Sequence, residues 1–268
     1  MGAGRDFCGA YAVGTLLVLG LIFACSEQIR RQGVEVLPFG LYYRNPGWLL
    51  APYNLWCRHQ VEGGDCQFPA KEVHFPRHRL LEANWGAIRG EAMALYRGGK
   101  AGLIKGDPFF TRIADDGWRR FYLRWYGPIQ REARELCPAT SALLDQLPEV
   151  RLAMFSFLAP GSKIVEHTGP SKGAKRYHLG LSCPPEARIV VDGAPYSWKD
   201  GEGVLFDDTF VHSVENASAD QARVVLFCDV DTKLRGPLAN SLNRQLLGWL
   251  APLTTRTNDA TEKKAGSK

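Results

Sequence analysis

From residue 151 onward, the sequence alternates between short apolar segments and clusters of turn-forming residues. The segments are four to nine residues long, and the turns between them are rich in Gly, Pro, Asp and Ser. The segments are RLAMFSFL, KIVEH, AKRYHLGL, ARIVV, YSWK, GVLFD, VHSVEN and ARVVLFCDV. Turn signals recur about every ten residues, a spacing typical of an antiparallel sandwich or barrel. This part of the chain is therefore predicted to be mainly β.

Helices are predicted on both sides of this β region. Between residues 79 and 98, apolar residues recur at steps of four and three, which places them on one helix face. These residues are Leu81, Trp85, Ile88, Ala92 and Leu95. Residues 118–126, WRRFYLRWY, favour an aromatic strand. A short helix is predicted over 138–147 and an amphipathic helix over 238–250, so the fold class is mainly β with flanking helices.

Charge and cysteine content limit the partners and the redox compartment that suit this protein. The net charge is +5 and the sequence pI is about 8.8. This mildly basic balance does not indicate a nucleic-acid partner, and it suits a protein close to an anionic membrane surface. The seven cysteines are scattered and form no CxxC pair. This pattern argues against a zinc ribbon or a disulfide framework and favours a reducing compartment.

The N-terminal residues 7–25 form an uncharged run, FCGAYAVGTLLVLGLIFAC. As a helix this run would span about 28 Å, close to the hydrocarbon thickness of a bilayer. Arg30 and Arg31 follow it, so the positive-inside rule predicts a single-pass membrane protein whose main domain faces the cytoplasm. A cleaved signal peptide and a lipoprotein signal ending at Cys25 are the alternatives. The aromatic-rich segment that follows is predicted either to lie at the membrane interface or to pack as an arm on the domain.

Three residues in the predicted strands have the spacing of a metal site beside an anion-binding group. His167 ends one segment, and His212 is the second residue of another about four strands later. Non-haem iron enzymes hold Fe(II) through two histidines and often one carboxylate, leaving positions open for a co-substrate and O₂. Arg223 stands in the next apolar segment, where a guanidinium is costly unless it pairs with an anion. Each residue alone has an ordinary explanation, such as a hydrogen-bonded core histidine, but the combination favours an iron site.

Several stretches resemble the aspartyl/asparaginyl β-hydroxylase family of Fe(II)- and 2-oxoglutarate-dependent oxygenases. They are HTGP, RYHLGL, FDDTFVHSVEN and ARVVLFCDV. Longer stretches resemble the branch of bacterial lipid A 2-hydroxylases and ornithine-lipid hydroxylases, namely ANWGAIRGEAMALYRGG, DGWRRFYLRWYG, ELCPATSALL and DGAPYSWKDGEGVLFDDTFVH. The resemblance implies a double-stranded β-helix, a jelly-roll or cupin-like oxygenase domain, behind an N-terminal transmembrane helix.

The resemblance also implies roles for six residues. His167 and His212 would hold the iron, Arg176, His178 and Arg223 would bind 2-oxoglutarate, and Ser156 would complete that pocket. Hydroxylation would be coupled to O₂ activation and to decarboxylation of 2-oxoglutarate to succinate. The lipid A branch carries an Asp two residues after the first histidine, whereas Gly169 stands here, as in the peptidyl hydroxylases. Water or 2-oxoglutarate would then complete the coordination of the iron.

Three functions are compatible with these features. The first is hydroxylation of the acyl chain of a membrane lipid of the lipid A or ornithine-lipid type, favoured by the N-terminal run, the aromatic segment and the basic balance. The second is peptidyl aspartyl/asparaginyl β-hydroxylation, favoured by Gly169. The third is a non-catalytic β-barrel binding module, against which the paired histidines and arginines argue.

The predicted layout has five parts along the chain. They are an N-terminal membrane anchor over 1–32, an irregular aromatic-rich juxtamembrane arm over 33–78, the oxygenase domain over 79–235, a C-terminal amphipathic helix over 236–252 and a disordered tail over 253–268.

Overall fold

Two β-sheets face each other, and helices cover the other side of the larger sheet. The structure is a computed structural model that describes residues 3–31, 38–43, 46–103, 116–250 and 257–258. Its helices are α1 (Ala3–Arg30), α2 (Phe39–Tyr42), a 3₁₀ helix (Pro46–Leu50), α3 (Ala51–Gln60), α4 (Lys71–His74), α5 (His78–Ala83), α6 (Trp85–Arg97), α7 (Arg131–Leu136), α8 (Pro138–Asp145) and α9 (Pro237–Leu250).

The strands follow the alternation seen in the sequence. They are β1 (Gly102–Leu103), β2 (Trp118–Trp125), β3 (Val150–Leu158), β4 (Lys163–His167), β5 (Ala174–Ser182), β6 (Ala187–Val191), β7 (Ala194–Ser197), β8 (Gly203–Phe206), β9 (His212–Asn216) and β10 (Arg223–Asp231). The larger sheet has the order β1-β2-β3-β10-β5-β8, and the smaller sheet has the order β4-β9-β6-β7. Every pairing within the two sheets is antiparallel, and the predicted jelly-roll-like, mainly β fold with helices is confirmed.

Two apolar clusters form because successive side chains of a strand point to opposite faces of its sheet. On one face of the larger sheet, Phe155, Leu179 and Leu226 pack with residues of helices α5, α6 and α8. On its other face, Met154 and Val225 pack with the smaller sheet. The cluster between the sheets surrounds the residues that the sequence analysis selected as a site.

The predicted helix over 79–98 is present as two consecutive helices. Helix α5 ends at Ala83, and α6 begins at Trp85. The Asn84 side chain between them donates to the carbonyl of Leu80 at 2.8 Å. The predicted apolar stripe is confirmed on α6, where Ile88, Ala92 and Leu95 are buried.

The predicted membrane-spanning helix at the N-terminus is wrong. Helix α1 forms there, but among the residues that the structure describes no helix is both long and apolar enough to cross a bilayer. The helix runs past the apolar stretch into a polar last turn, where Glu27 pairs with Arg30 at 2.7 Å. Ser26 in this turn is buried and donates to the carbonyl of Trp48 at 3.2 Å. The predicted single-pass location with a cytoplasmic domain is therefore also wrong.

The segment predicted as an irregular arm is largely helical where it is described. Helix α3 packs on the loop that follows β4, because the Asn54 amide donates to the carbonyl of Pro170 at 3.0 Å and accepts from the N–H of Lys172 at 2.9 Å. The aromatic-rich segment therefore braces the domain, which was one of its two predicted roles. Most of the predicted disordered tail lies outside the described residues, but the Asn258 side chain bonds both the N–H and the carbonyl of Tyr122 in β2, at 2.8 and 3.1 Å.

Candidate active site

The two histidines of the predicted iron site lie next to each other. His167 is the last residue of β4 and His212 is the first residue of β9, and the antiparallel pairing of these strands places them directly opposite. The register shifts between Ile164 and His167, so the end of β4 departs from a regular ladder. The two imidazole centroids are 4.1 Å apart. The topology thus brings together two residues that are 45 positions apart in the sequence.

Each histidine is oriented by a carbonyl of its own chain segment. The Nδ1 atom of His167 lies 2.7 Å from the carbonyl of Val165, and that of His212 lies 2.9 Å from the carbonyl of Phe210. A hydrogen bond from Nδ1–H leaves the Nε2 lone pair for a metal. Burial lowers the pKa of His167 to about 4 and that of His212 well below its usual value, so both rings are neutral near pH 7.

At Gly169, where the lipid A branch carries an Asp, the space for a side chain is occupied by the carboxylate of Asp208. Gly169 has no side chain, and a Cβ built on it would overlap the carboxylate of Asp208. The N–H of Gly169 also donates to the backbone carbonyl of Asp208 at 2.6 Å. Among the described residues, no group of three His, Cys, Asp or Glu side chains is arranged to hold a metal. The protein groups that suit a metal at this point are therefore the two histidines.

Arg176 is engaged by two carboxylates beside the histidine pair. Its Nη2 lies 2.9 Å from Oδ2 of Asp208 and 3.0 Å from Oδ1 of Asp229. Tyr126 donates its hydroxyl to Asp229 at 3.1 Å, and its backbone has a φ of 47° that bulky side chains rarely adopt. The guanidinium also stacks on Phe227, 4.2 Å from the ring centroid. Arg176 thus lies beside the predicted iron site with its charge already balanced.

Arg223 is also buried, but no ion pair balances its charge in the described structure. It is 1% exposed, and its Nε and Nη1 atoms have no hydrogen-bond partner in the described structure. Its guanidinium carbon lies 4.9 Å from the centroid of the Trp198 ring. Burial lowers the pKa of Arg223 to about 10, which leaves it charged at neutral pH. A buried guanidinium with free donors is the environment in which a carboxylate ligand binds.

His178 links Arg223 to the histidine pair. Both of its ring nitrogens are buried without a hydrogen-bond partner, and burial holds its pKa well below the usual value. Its ring centroid lies 5.8 Å from that of Trp198 and 5.0 Å from that of Phe206. Phe206 in turn lies 5.8 Å from His212. Ring contacts therefore connect Arg223, whose donors lack partners, to the histidine pair of the predicted iron site.

Ser156 lies on the neighbouring strand of the same sheet. It pairs in register with Val225 of β10, two residues after Arg223, and so points to the same face of the sheet. Its hydroxyl accepts a hydrogen bond from the indole N–H of Trp118 at 2.9 Å. The structure thus places the six residues singled out in the sequence along the inner face of one sheet and the adjoining ends of β4 and β9.

A buried ion-pair cluster that the sequence analysis missed supports the histidines. The Lys172 Nζ lies 2.8 Å from a carboxylate oxygen of Asp207 and 2.8 Å from one of Asp65. Lys175 also pairs with Asp207. Burial alone would raise the pKa of Asp207, but the two lysines hold it well below its usual range. Because Lys172 follows His167 and Asp207 precedes His212, the cluster ties the two histidine segments together.

Trp198 and Asp208 were also missed as site residues, for different reasons. Trp198 lies in a short aromatic segment that reads as an ordinary strand end, and no local pattern shows that its N–H will lack a partner. Asp208 lies in a pair of aspartates that the sequence presents as a turn. The only available signal was the glycine at position 169, whose missing side chain leaves space for another group.

Comparison with known proteins identifies the family. The family model described as aspartyl/asparaginyl beta-hydroxylase matches residues 82–233, which is more than half of the chain. The chain belongs to the aspartyl/asparaginyl β-hydroxylase family. The matched residues include the histidine pair and Arg223, and the resemblance seen in the sequence is confirmed.

Relatives of this family member carry different descriptions. It is 36% identical to an ornithine lipid ester-linked acyl 2-hydroxylase of Rhizobium tropici over 169 residues, which are 61% of this chain and 60% of the relative. It is 35% identical to aspartate beta-hydroxylase domain-containing protein 2 of Homo sapiens over 181 residues, 64% of this chain and 47% of that relative. It is 31% identical to the aspartyl/asparaginyl beta-hydroxylase of Homo sapiens over 158 residues, 57% of this chain and 20% of that protein.

The chain covers between 20% and 60% of the length of these relatives. Among solved structures, a prolyl-4-hydroxylase of Pseudomonas putida aligns with a TM-score of 0.39 and 17% identity, covering 60% of this chain and 90% of that one. A likeness at this level carries no conclusion about activity.

Proposed function

We propose that this protein is an Fe(II)- and 2-oxoglutarate-dependent hydroxylase. The observation that carries the proposal is the buried guanidinium of Arg223, whose free donors lie in the same inter-sheet space as a neutral histidine pair. A dicarboxylate could bind a metal at the histidine pair through one end and the Arg223 guanidinium through the other. Membership of a hydroxylase family supports the same reaction class.

The residues fit such a metal and co-substrate. His167 and His212 would hold Fe(II) through Nε2, because their Nδ1 atoms already face backbone carbonyls. Bound Fe(II), together with 2-oxoglutarate and O₂, supplies the oxidising power for hydroxylation of a C–H bond. The positions that no protein carboxylate fills remain for water and for the co-substrate.

The chain's own groups would bind the co-substrate and keep its pocket dry. Arg223 would pair with the distal carboxylate, and Ser156 would lie on the same sheet face beside it. His178 offers one donor and one acceptor in the middle of the space. The rings of Phe206 and Phe227 lie 5.0 and 4.9 Å from that of His178 between centroids and would help to exclude water there. Arg176 pairs with Asp208 and Asp229, so both carboxylates are already engaged beside the histidine pair.

We propose the acyl chain of a membrane lipid as the substrate. The relative from Rhizobium tropici is described as acting on an ornithine lipid acyl chain. Helices α3 and α9 also form an apolar groove of about 170 Å³ lined by Trp56, Leu242, Leu246 and Trp249. Trp249 and Leu238 on α9 are 72% and 73% exposed, so this face is available for an apolar ligand. A peptidyl Asp or Asn residue is the second candidate, favoured by Gly169 and by the name of the family.

The reaction class is tested by single substitutions in the histidine pair. His167→Ala and His212→Ala should each abolish succinate release from 2-oxoglutarate in the presence of Fe(II) and O₂, with an unchanged far-UV circular dichroism spectrum. His59→Ala is the matched control, because His59 is exposed on α3 and should leave turnover unchanged. Full turnover in either ligand variant would refute the assignment.

The substrate class is tested by mass spectrometry of membrane lipids. Cells that express the wild-type protein should contain an aminolipid or lipid A species heavier by one oxygen atom, and cells that express His212→Ala should lack it. Unchanged lipids alongside succinate release in vitro would remove the lipid substrate and leave the peptidyl one.

A further inference from the structure

The indole N–H of Trp198 is a buried donor without an acceptor. Trp198 follows β7 and is 2% exposed, and its Nε1 atom has no hydrogen-bond partner in the described structure. A tryptophan N–H that is withdrawn from water normally finds a partner, because leaving it unpaired costs free energy. By contrast, Trp118 on the opposite sheet satisfies its N–H with the hydroxyl of Ser156 at 2.9 Å.

Two polar side chains beside Trp198, those of Arg223 and His178, also have buried nitrogen atoms without a hydrogen-bond partner in the described structure. Its ring lies beneath the Arg223 guanidinium at 4.9 Å, and its centroid is 5.8 Å from that of His178. Arginine and the indole can only donate hydrogen bonds, and a neutral histidine offers one acceptor. The donors of all three side chains are unsatisfied. An anion with several acceptor oxygens would satisfy this cluster, and a carboxylate has that chemistry.

The backbone holds Trp198 at this position firmly. The segment after Trp198 lies against β5, where the N–H of Gly201 donates to the carbonyl of Gly180 at 2.9 Å and the N–H of Gly180 donates to the carbonyl of Glu202 at 3.0 Å. A Cβ at Gly180 would overlap the carbonyl oxygen of Lys199, so the close approach needs glycine there. The glycine of the RYHLGL stretch therefore allows the segment to bring the indole against the sheet face on which His178 of β5 and Arg223 of β10 lie.

We propose that Trp198 donates its indole N–H to the distal carboxylate of 2-oxoglutarate, beside the Arg223 fork. This inference rests on the proposed function, since it concerns the same co-substrate. The guanidinium supplies the charge, and the rigid indole selects the distance between the carboxylate and the histidine pair. Trp198 is therefore a co-substrate-binding residue that also sets the preferred length of the dicarboxylate.

The first test observes the indole protons directly. In a ¹⁵N-TROSY spectrum of the full chain with Zn²⁺ as a diamagnetic metal, the Trp198 indole cross-peak should move downfield when 2-oxoglutarate is added. Trp48 is the internal control, because its ring packs on Tyr43, 5.8 Å away between ring centroids, and its cross-peak should not move. W198F assigns the resonance. If that variant does not fold, the wild-type resonance is assigned from its contacts to Tyr196 and His178, which lie 6.5 and 5.8 Å away between ring centroids.

The second test measures affinity in the same Zn²⁺-loaded protein. W198F should raise the Kd for 2-oxoglutarate about 10-fold or more, the loss expected for one hydrogen bond to a charged group. It should also reduce the preference for 2-oxoglutarate over 2-oxoadipate, which is longer by one methylene. W48F should leave both values unchanged, because the Trp48 ring packs on Tyr43, 5.8 Å away between ring centroids, and belongs to neither proposed binding site.

The outcomes separate the two proposals. If 2-oxoglutarate binds and Arg223→Ala abolishes binding, but the Trp198 cross-peak stays fixed and W198F keeps the wild-type Kd, the role of Trp198 is overturned and the proposed function stands. If 2-oxoglutarate does not bind the wild-type protein at all, the proposed function is overturned and the role of Trp198 with it.

Discussion

Replacing Arg223 with methionine should make the free protein more stable and the ligand-bound protein less stable than wild type. Burial lowers the pKa of the Arg223 side chain from 12.5 to about 10. At about 1.4 kcal/mol for each pKa unit, the charged form is disfavoured in the fold by about 3 kcal/mol. The side chain is 1% exposed, so solvent screening does not reduce this figure appreciably. Methionine removes the charge and keeps an apolar side chain of similar length, which makes an increase of about 1–3 kcal/mol in unfolding free energy the expected result.

The co-substrate should reverse the order. A ligand that binds only the folded state at about 1,000 times its Kd raises the unfolding free energy by about 4.1 kcal/mol, which exceeds the gain of about 1–3 kcal/mol expected from the substitution. Wild-type protein should gain this amount from 2-oxoglutarate with a metal present, and Arg223→Met should gain much less because the distal carboxylate has lost its cation. The pair of measurements therefore separates the cost of burying the Arg223 charge from its contribution to ligand binding.

Urea denaturation followed by circular dichroism, with and without 2-oxoglutarate and Mn²⁺, measures both effects. Arg151→Met is the matched control, because Arg151 makes two 2.8 Å contacts with the carboxylate of Asp231. Removing that paired arginine should destabilise the protein with or without ligand. A ligand-free Arg223→Met variant that unfolds more readily than wild type by 2 kcal/mol or so would show that Arg223 has a structural partner and would refute the argument.

Three further results are expected. Lys172→Met should lower the unfolding free energy by about 3 kcal/mol in urea titrations, because it leaves buried carboxylate charge at Asp207 under-compensated; a neutral effect would contradict this. His74 has a pKa of about 4 in the fold and an ordinary value of 6.5, so the unfolded state binds more protons between these values and stability is lost as pH falls through this window. The loss between pH 7 and pH 5 should be about 2 kcal/mol larger for wild type than for His74→Asn, and equal pH profiles would exclude the shift. Gly169→Asp should unfold at lower urea than wild type because its side chain overlaps the Asp208 carboxylate, and combining it with Asp208→Gly should recover stability.

Most of the β region could be predicted because its periodicity reports burial. Strands β3 to β10 each overlap an apolar segment of the sequence, although β7 begins two residues before the predicted segment YSWK and ends within it. The histidine pair could be proposed for the same reason, since strand order in such a sandwich brings distant strands together. Arg223 could be proposed because an arginine in an apolar strand needs an anion.

Other features depend on tertiary contacts that no local pattern records. The apolar run at the N-terminus looked like a membrane span because apolar content alone does not show where a helix ends. Helix α1 continues to Arg30, and its last turn packs on Trp48 through Ser26. The segment around Asn54 looked irregular because its prolines and glycines obscure the helical period, yet Asn54 holds the loop after His167 from both sides.

The distribution of unsatisfied groups gives the site its physical meaning. Where the chain only has to hold the histidine segments, it balances each buried charge, as Lys172 does with Asp207 and Asp65. Where a ligand is expected, it leaves donors on Arg223 and Trp198 without acceptors. A fold selected for stability alone would remove the second group, since unpaired buried donors cost free energy and contribute none. Their position beside the histidine pair is therefore explained by the proposed binding of an anion, and the stability difference at Arg223 measures the cost of burying its unpaired charge.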